Sequence, residues 1–304
     1  MSLFRRRLNI VTGKGGVGKS TVSAALALAA QARGQRVLVC EVGAKQRVPA
    51  LLGLPETGPE IRQIDRNIWA VHVRPAEAMR EYALMVLKFR AVYHAVFENR
   101  LVRYVLRAIP PLPDIVMLGK IWWHVAEERD AQGRLRWDQV ILDAPATGHG
   151  LGMLATPRTI LDIVSEGPMV RDMKRMRDML EDTSITAVNI VSLPEEMPAN
   201  EAIELQAAIA KLDLPGGRLF LNDHVAQRFS VEERAQVAAS DAPELAPSRV
   251  AETHWGVRQD LSAHYERRLR EEQPLPLTLI PHLSAEQFDR TAIESIAKQL
   301  GAEV

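Results

Sequence analysis

Cysteine occurs once in the 304 residues, at Cys40, which rules out an internal disulfide framework and a CxxC zinc clip. A lone thiol fits a reducing compartment. An excess of one charge is missing too, since 38 basic side chains balance 38 acidic ones. Such a chain has no general attraction to nucleic acid or anionic lipid, and no nucleic-acid partner is expected. Arg5, Arg6 and Arg7 form the one dense basic run near the start, and they read as a solvated lead-in to an apolar strand. No apolar run is long enough to span a bilayer, and the N-terminus has no apolar signal-peptide core. These absences predict a cytoplasmic protein. What is present is ordinary globular composition, 47% hydrophobic and 25% charged, enough to bury a sizeable core.

Leu8 to Thr12 reads as a buried strand, followed by a glycine-rich turn and an Ala/Leu-rich helix that stops at Gly34. Arg36 to Cys40 is a second apolar strand, so the chain opens with a βαβ unit, which favours a parallel sheet. Further strands are predicted at Trp69–Val73, Gln139–Leu142, Ile185–Leu193, Arg218–Leu221 and Leu277–Ile280, with a helix over Ala199–Leu212. Their low polar alternation suits a sheet covered by helices on both faces. The expected organisation is a single α/β domain over 1–304 with helical insertions at 75–128 and 165–181. Ser240–Ser248 reads as a mobile surface segment.

Gly13-Lys14-Gly15-Gly16-Val17-Gly18-Lys19-Ser20-Thr21 matches G-x-x-x-x-G-K-[ST] in the required context, strand before and helix after. Backbone N–H groups must converge on phosphate, so bulky side chains are excluded there. The following helix offers its positive end to the anion. Lys19 can reach the β- and γ-phosphates, and the Ser20 hydroxyl can ligate Mg²⁺. This P-loop reading makes ATP and Mg²⁺ the expected cofactors. Asp143 ends an apolar strand at the ligand edge of a parallel sheet, where it can hold the Mg²⁺ shell. Gly148 and Gly150 let the segment after it move.

Lys14 gives the loop the form GKGGVGKS, which resembles the deviant P-loop ATPases that include MinD, ParA, nitrogenase iron protein and ArsA. The resemblance implies a nucleotide-sandwich dimer in which Lys14 crosses to the partner's nucleotide; otherwise Lys14 is a solvated loop lysine. Asp143-Ala144-Pro145-Ala146-Thr147-Gly148-His149 resembles the D-T-A-P-T-G-H segment of ArsA-type ATPases, the arsenite-pump and tail-anchored-protein targeting ATPases. Phe220-Leu221-Asn222 looks like the family's strand ending in an adenine-reading asparagine, and Leu279-Ile280-Pro281 like its late strand with a proline near the base. Asn222 also suits a plain turn. His149 matches the family's switch histidine, which implies a response to nucleotide.

Two departures qualify the resemblance. The family's water-positioning aspartate falls on Gly43, within Cys40-Glu41-Val42-Gly43-Ala44-Lys45. Glu41 lies two residues earlier on the same strand face and is a candidate substitute, as base or outer-shell Mg²⁺ group; its bland alternative is an acid at a solvated strand end. The E-V-G form is similar to a bacterial subgroup often encoded as pairs, which implies a homodimer or a heterodimer with a paralogue, and a subunit that hydrolyses ATP slowly. Second, a single cysteine cannot bind arsenite or build bridging zinc sites, so no arsenite is expected.

In the insertions, Met169, Met173, Met176 and Leu180 share one helix face, with Met179 at its edge and Arg171, Lys174, Arg175 and Arg177 beside it. That face is either core or a groove for an apolar helical client or membrane protein. Met85, Phe89, Tyr93 and Phe97 form a second stripe that reads as core, and one of Trp122 and Trp123 is expected to be partly exposed. A MinD- or ParA-like spatial regulator is the competing reading, but Thr291–Val304 carries Ile293, Ile296 and Leu300 with only Lys298 as a base, a poor membrane anchor.

Overall fold

Eight strands form one sheet in the order β3-β4-β2-β5-β1-β6-β7-β8. They are β1 (Leu8–Thr12), β2 (Val37–Glu41), β3 (Arg62–Asp65), β4 (Ile68–His72), β5 (Gln139–Asp143), β6 (Thr186–Ser192), β7 (Gly216–His224) and β8 (Leu277–Pro281). Every pairing is parallel except that of β3 with β4. The computed structural model describes residues 3–87, 112–227, 230–240, 242, 244, 246–283 and 288–303.

Because side chains alternate across a strand, each apolar strand supplies two cores. Val37 and Val39 of β2 and Ile141 of β5 join one cluster, with the buried alanines of helix α1 (Lys19–Gln31). Leu38, Cys40, Val140 and Leu142 point the other way, into a second cluster. This double burial is the physical reason the strands read as unbroken apolar runs. The α1 side is completed by α2 (Val48–Leu51) and by α10 (Arg290–Glu303), whose Ile293, Ile296 and Leu300 are buried there. The apolar side of the C-terminal segment is therefore core.

The opposite side carries α3 (Pro75–Leu87), α4 (Leu112–Trp122), a π-helical turn (Trp123–Glu127), α5 (Thr147–Ile163), α6 (Pro168–Glu181) and α7 (Glu196–Lys211). Two outer helices, α8 (Val231–Ala239) and α9 (Ala246–Glu272), follow β7. Helix α4 packs on α3, α5 and α6, so the described parts of the two insertions meet each other. Residues 88–111, with Phe89, Tyr93 and Phe97, lie outside the described residues, as does the side chain of Met85.

The structure decides some of these alternatives and corrects other expectations. Met173, Met176, Met179 and Leu180 are buried in the core, while Met169 is 42% exposed. The α6 methionine face is thus core rather than a groove, and burying each such side chain stabilises by ~1.5–3 kcal/mol. Ser240–Ser248 runs into α9 from Ala246. Edge strand β3 went unforeseen because RQID has no apolar signature, and it turns back to β4 through Asn67 at φ +59°. Trp123 is exposed and Trp122 half-buried, with the Arg175 guanidinium 5.9 Å over the Trp122 ring.

Candidate functional site

The loop after β1 is shaped by two close approaches. At Gly13, φ is +143° and a Cβ would lie 2.3 Å from the Val191 carbonyl oxygen of β6. At Gly18, φ is +95° and a Cβ would lie 2.3 Å from Asn222 Nδ2 of β7. Side chains are excluded at both, whereas Gly15 and Gly16 border open space. Gly18 caps α1 without a side-chain hydrogen bond, which leaves first-turn N–H groups free to serve an anion. Asn222 Nδ2 donates to the Val17 carbonyl at 3.0 Å, so this residue fastens the loop to β7 from within the strand and is not a turn residue.

Lys19 Nζ lies over the loop, donating to the Gly13 carbonyl at 3.0 Å and the Lys14 carbonyl at 2.8 Å. Burial lowers its pKa, and the carboxylates of Asp143 and Glu201 oppose that shift. Asp143 pairs in register with Val11 of β1 and Glu41 of β2, and parity turns it to the α1 side. There it accepts from Ser20 Oγ at 2.7 Å and Ser23 Oγ at 3.1 Å. Burial raises its pKa, against those two hydrogen bonds and the charges of Lys19 and Arg47. A buried carboxylate beside a serine hydroxyl is a hard-oxygen donor set that suits Mg²⁺. Thr21 is half-buried in the first turn of α1.

Glu41 is 2% exposed, which corrects the solvated-strand-end alternative. Its Oε1 accepts from Arg47 N at 2.6 Å and Val48 N at 2.9 Å, capping α2, while Oε2 has no partner. Burial pushes its pKa up to about 7, against the two backbone hydrogen bonds. The Gly43 carbonyl bonds His72 Nε2 at 2.7 Å, and Gln46 and Thr57 hold each other. From Val42 to Arg47 the segment offers no carboxylate.

Lys14 lies 3.3 Å from Glu201 Oε2 of α7, and Glu201 Oε1 accepts from Thr147 Oγ1 at 2.6 Å. Glu201 was missed by sequence reasoning. The available signal was an acid early in the helix that follows β6, at the carboxyl edge of the sheet. His149 is exposed and lies 3.7 Å from Asp114 Oδ1, in the first turn of α4. Beyond Asn222, Asp223 accepts from Arg258 at 2.7 Å and is 2.5 Å from His282 Nδ1, with Trp255 edge-on to His282. These residues flank the exposed Pro281 at the end of β8 and were likewise unforeseen.

Residues 6–167, just over half the chain, match the profile of the ArsA-type family described as anion-transporting ATPase. The chain belongs to this family. ATPase BagA of Mycobacterium tuberculosis is 29% identical over 240 residues, covering 77% of this chain and 70% of that protein. Another protein of that organism, Rv2184c, is 26% identical over 323 aligned positions, covering 94% and 73%. A Prosthecochloris vibrioformis protein, named provisionally as an arsenical pump-driving ATPase, is 28% identical over 155 residues, 51% of this chain and 36% of its own. Membership in the ArsA-type family makes this an ATP-binding, ATPase-like protein, and the mostly parallel sheet is the P-loop fold expected of it. Among the described residues, no helix is long and apolar enough to cross a membrane.

Proposed function

We propose that the chain binds Mg·ATP at Gly13–Thr21 and works as a dimeric ATPase that couples nucleotide state to its helical insertions. The observation that carries this is the Lys19–Ser20–Asp143 cluster beside an open glycine loop at the carboxyl edge of the sheet. Ser20 and Asp143 would hold Mg²⁺, which neutralises phosphate charge when bound. Lys19 exchanges its carbonyl partners for phosphate oxygens, and α1 directs its N–H groups at them. Asn222 and Pro281 border the base end. Hydrolysis adds water at the γ-phosphorus and breaks its bond to ADP, with Lys14 supplying a second cation across a homodimer or a paralogue heterodimer.

The contact between His149 and Asp114 supports the coupling. It joins the segment after Asp143 to the first turn of α4, so movement of that segment on γ-phosphate loss reaches the insertion. An apolar helical client or membrane protein engages the insertion, away from the buried methionine face of α6.

A second reading, a subunit that binds ATP and turns it over slowly, is favoured by Glu41. Its Oε1 is committed to the Arg47 and Val48 amides, and Gly43 has no acid. Turnover of wild type, Lys19→Ala and Glu41→Gln, alone and with a neighbouring paralogue if one exists, separates the two. Activity of the isolated chain that disappears in Lys19→Ala supports the first. Tight nucleotide binding without turnover, even with the paralogue, leaves the second. Absence of nucleotide binding in wild type would sink both.

A further inference from the structure

Two contacts converge on the carboxylate of Glu201, and a third cation feels its charge. One oxygen takes the Lys14 ammonium at 3.3 Å, the other takes the Thr147 hydroxyl at 2.6 Å, and its field reaches the Lys19 ammonium. Lys14 belongs to the phosphate loop, Thr147 opens α5 immediately after the Asp143 segment, and Glu201 sits on α7 behind β6. A carboxylate with two acceptor oxygens presents a cation and a hydroxyl with the same chemistry as a terminal phosphoryl group: negative charge and no donor. The donors gathered on Glu201 are the kinds that a γ-phosphate recruits.

We propose that Glu201 is an internal counter-ion that stands in for γ-phosphate oxygens at Lys14 and Thr147, and that a nucleoside triphosphate displaces it whereas a diphosphate does not. The inference rests on the ATP-binding reading above. A γ-phosphate brought to Lys14 and Thr147 places like charge beside Glu201, and repulsion at such range opposes joint occupancy. Displacement frees Lys14 to leave its own subunit and frees the first turn of α5 to follow the phosphate. Glu201 is therefore a positioning residue that sets the preference between ATP and ADP, and it holds Lys14 in its own subunit until triphosphate arrives.

The magnitude follows from the contacts. The half-exposed ion pair contributes little, and the hydrogen bond to a charged acceptor contributes more. Removing the charge with Glu201→Gln is expected to tighten a non-hydrolysable ATP analogue by about tenfold relative to ADP. Calorimetric titration of the full chain with Mg·AMP-PNP and with Mg·ADP measures that ratio. In a Lys14→Ala background the gain from Glu201→Gln shrinks, because the displaced contact is already missing. Thr147→Val removes a donor from Glu201 and from the incoming γ-phosphate alike, so its ratio should move less than that of Glu201→Gln.

A purely structural role for Glu201 would alter both affinities together and leave their ratio alone. An unchanged ratio in Glu201→Gln, or weaker binding of the ATP analogue, overturns the proposal. Should Glu201→Gln fail to fold by its melting curve, Glu201→Ala removes the same charge, and an unchanged ratio there overturns it instead. If wild type binds neither nucleotide, the ATP-binding reading fails; if it binds both and the ratio stays fixed, only the counter-ion role fails.

Discussion

Replacing Glu41 by glutamine tests whether this acid is a buried structural cap. Its side chain is 2% exposed, one oxygen accepts two backbone N–H groups, and the other has no partner. Burial raises its pKa from 4.5 to about 7. A raised acid favours the protonated folded state, so the stability it contributes is full below 4.5 and disappears as pH rises through about 7. At ~1.4 kcal/mol per pH unit, the loss across that window is ~3 kcal/mol. Glutamine keeps an acceptor oxygen for Arg47 and Val48 but cannot titrate. Its extra amide adds an offset that does not depend on pH, so only the slope is diagnostic. Urea denaturation of both proteins from pH 5 to 8.5 gives the comparison, because other titrating groups cancel in the difference. Relative to wild type, Glu41→Gln should gain ~3 kcal/mol between the two ends, most of it below pH 7.5. A difference that stays flat with pH would refute the buried-acid argument and return Glu41 to the solvent.

Gly13→Ala should lower stability by ~3 kcal/mol or more, read from its melting temperature, because a Cβ at φ +143° meets a backbone oxygen 2.3 Å away that no side-chain rotation can relieve. Met173→Glu should destabilise by ~4 kcal/mol by placing an unpaired charge in the core, while Met169→Glu, at a site 42% exposed, should stay within ~0.5 kcal/mol in the same denaturation assay. Equal effects at the two methionines would restore the groove reading. Asp143→Asn should leave metal-free nucleotide binding measurable and reduce the Mg²⁺-dependent gain in affinity by about tenfold or more, checked by titration with and without the ion.

Much of the fold was legible because the physics there is local. Residues such as Val37–Cys40 and Val140–Leu142 are apolar at both parities, which only a sheet covered on two faces requires. Elements without that signature escaped: β3 is a charged edge strand held by its pairing to β4, and α9 begins where prolines and serines suggest a loop. The methionine face of α6 had the right periodicity for either fate. Whether it met a partner or its own core depended on α4 and α5, which pack against it from distant parts of the chain.

The site divides in the same way, and the division bears on function. Phosphate binding demands particular residue types at fixed spacing, so Gly13, Gly18, Lys19, Ser20 and Asp143 could be named from the sequence, and all meet at the sheet edge. Water activation demands only a carboxylate aimed at one point, and aim is not written in spacing. Glu41 has the right residue type and the right strand face, yet its reach is taken by the Arg47 and Val48 amides. Glu201 is the reverse case, a residue in no motif whose carboxylate joins the loop lysine to the segment after Asp143. Glu41 and Glu201 are therefore both occupied with holding the protein's own loops.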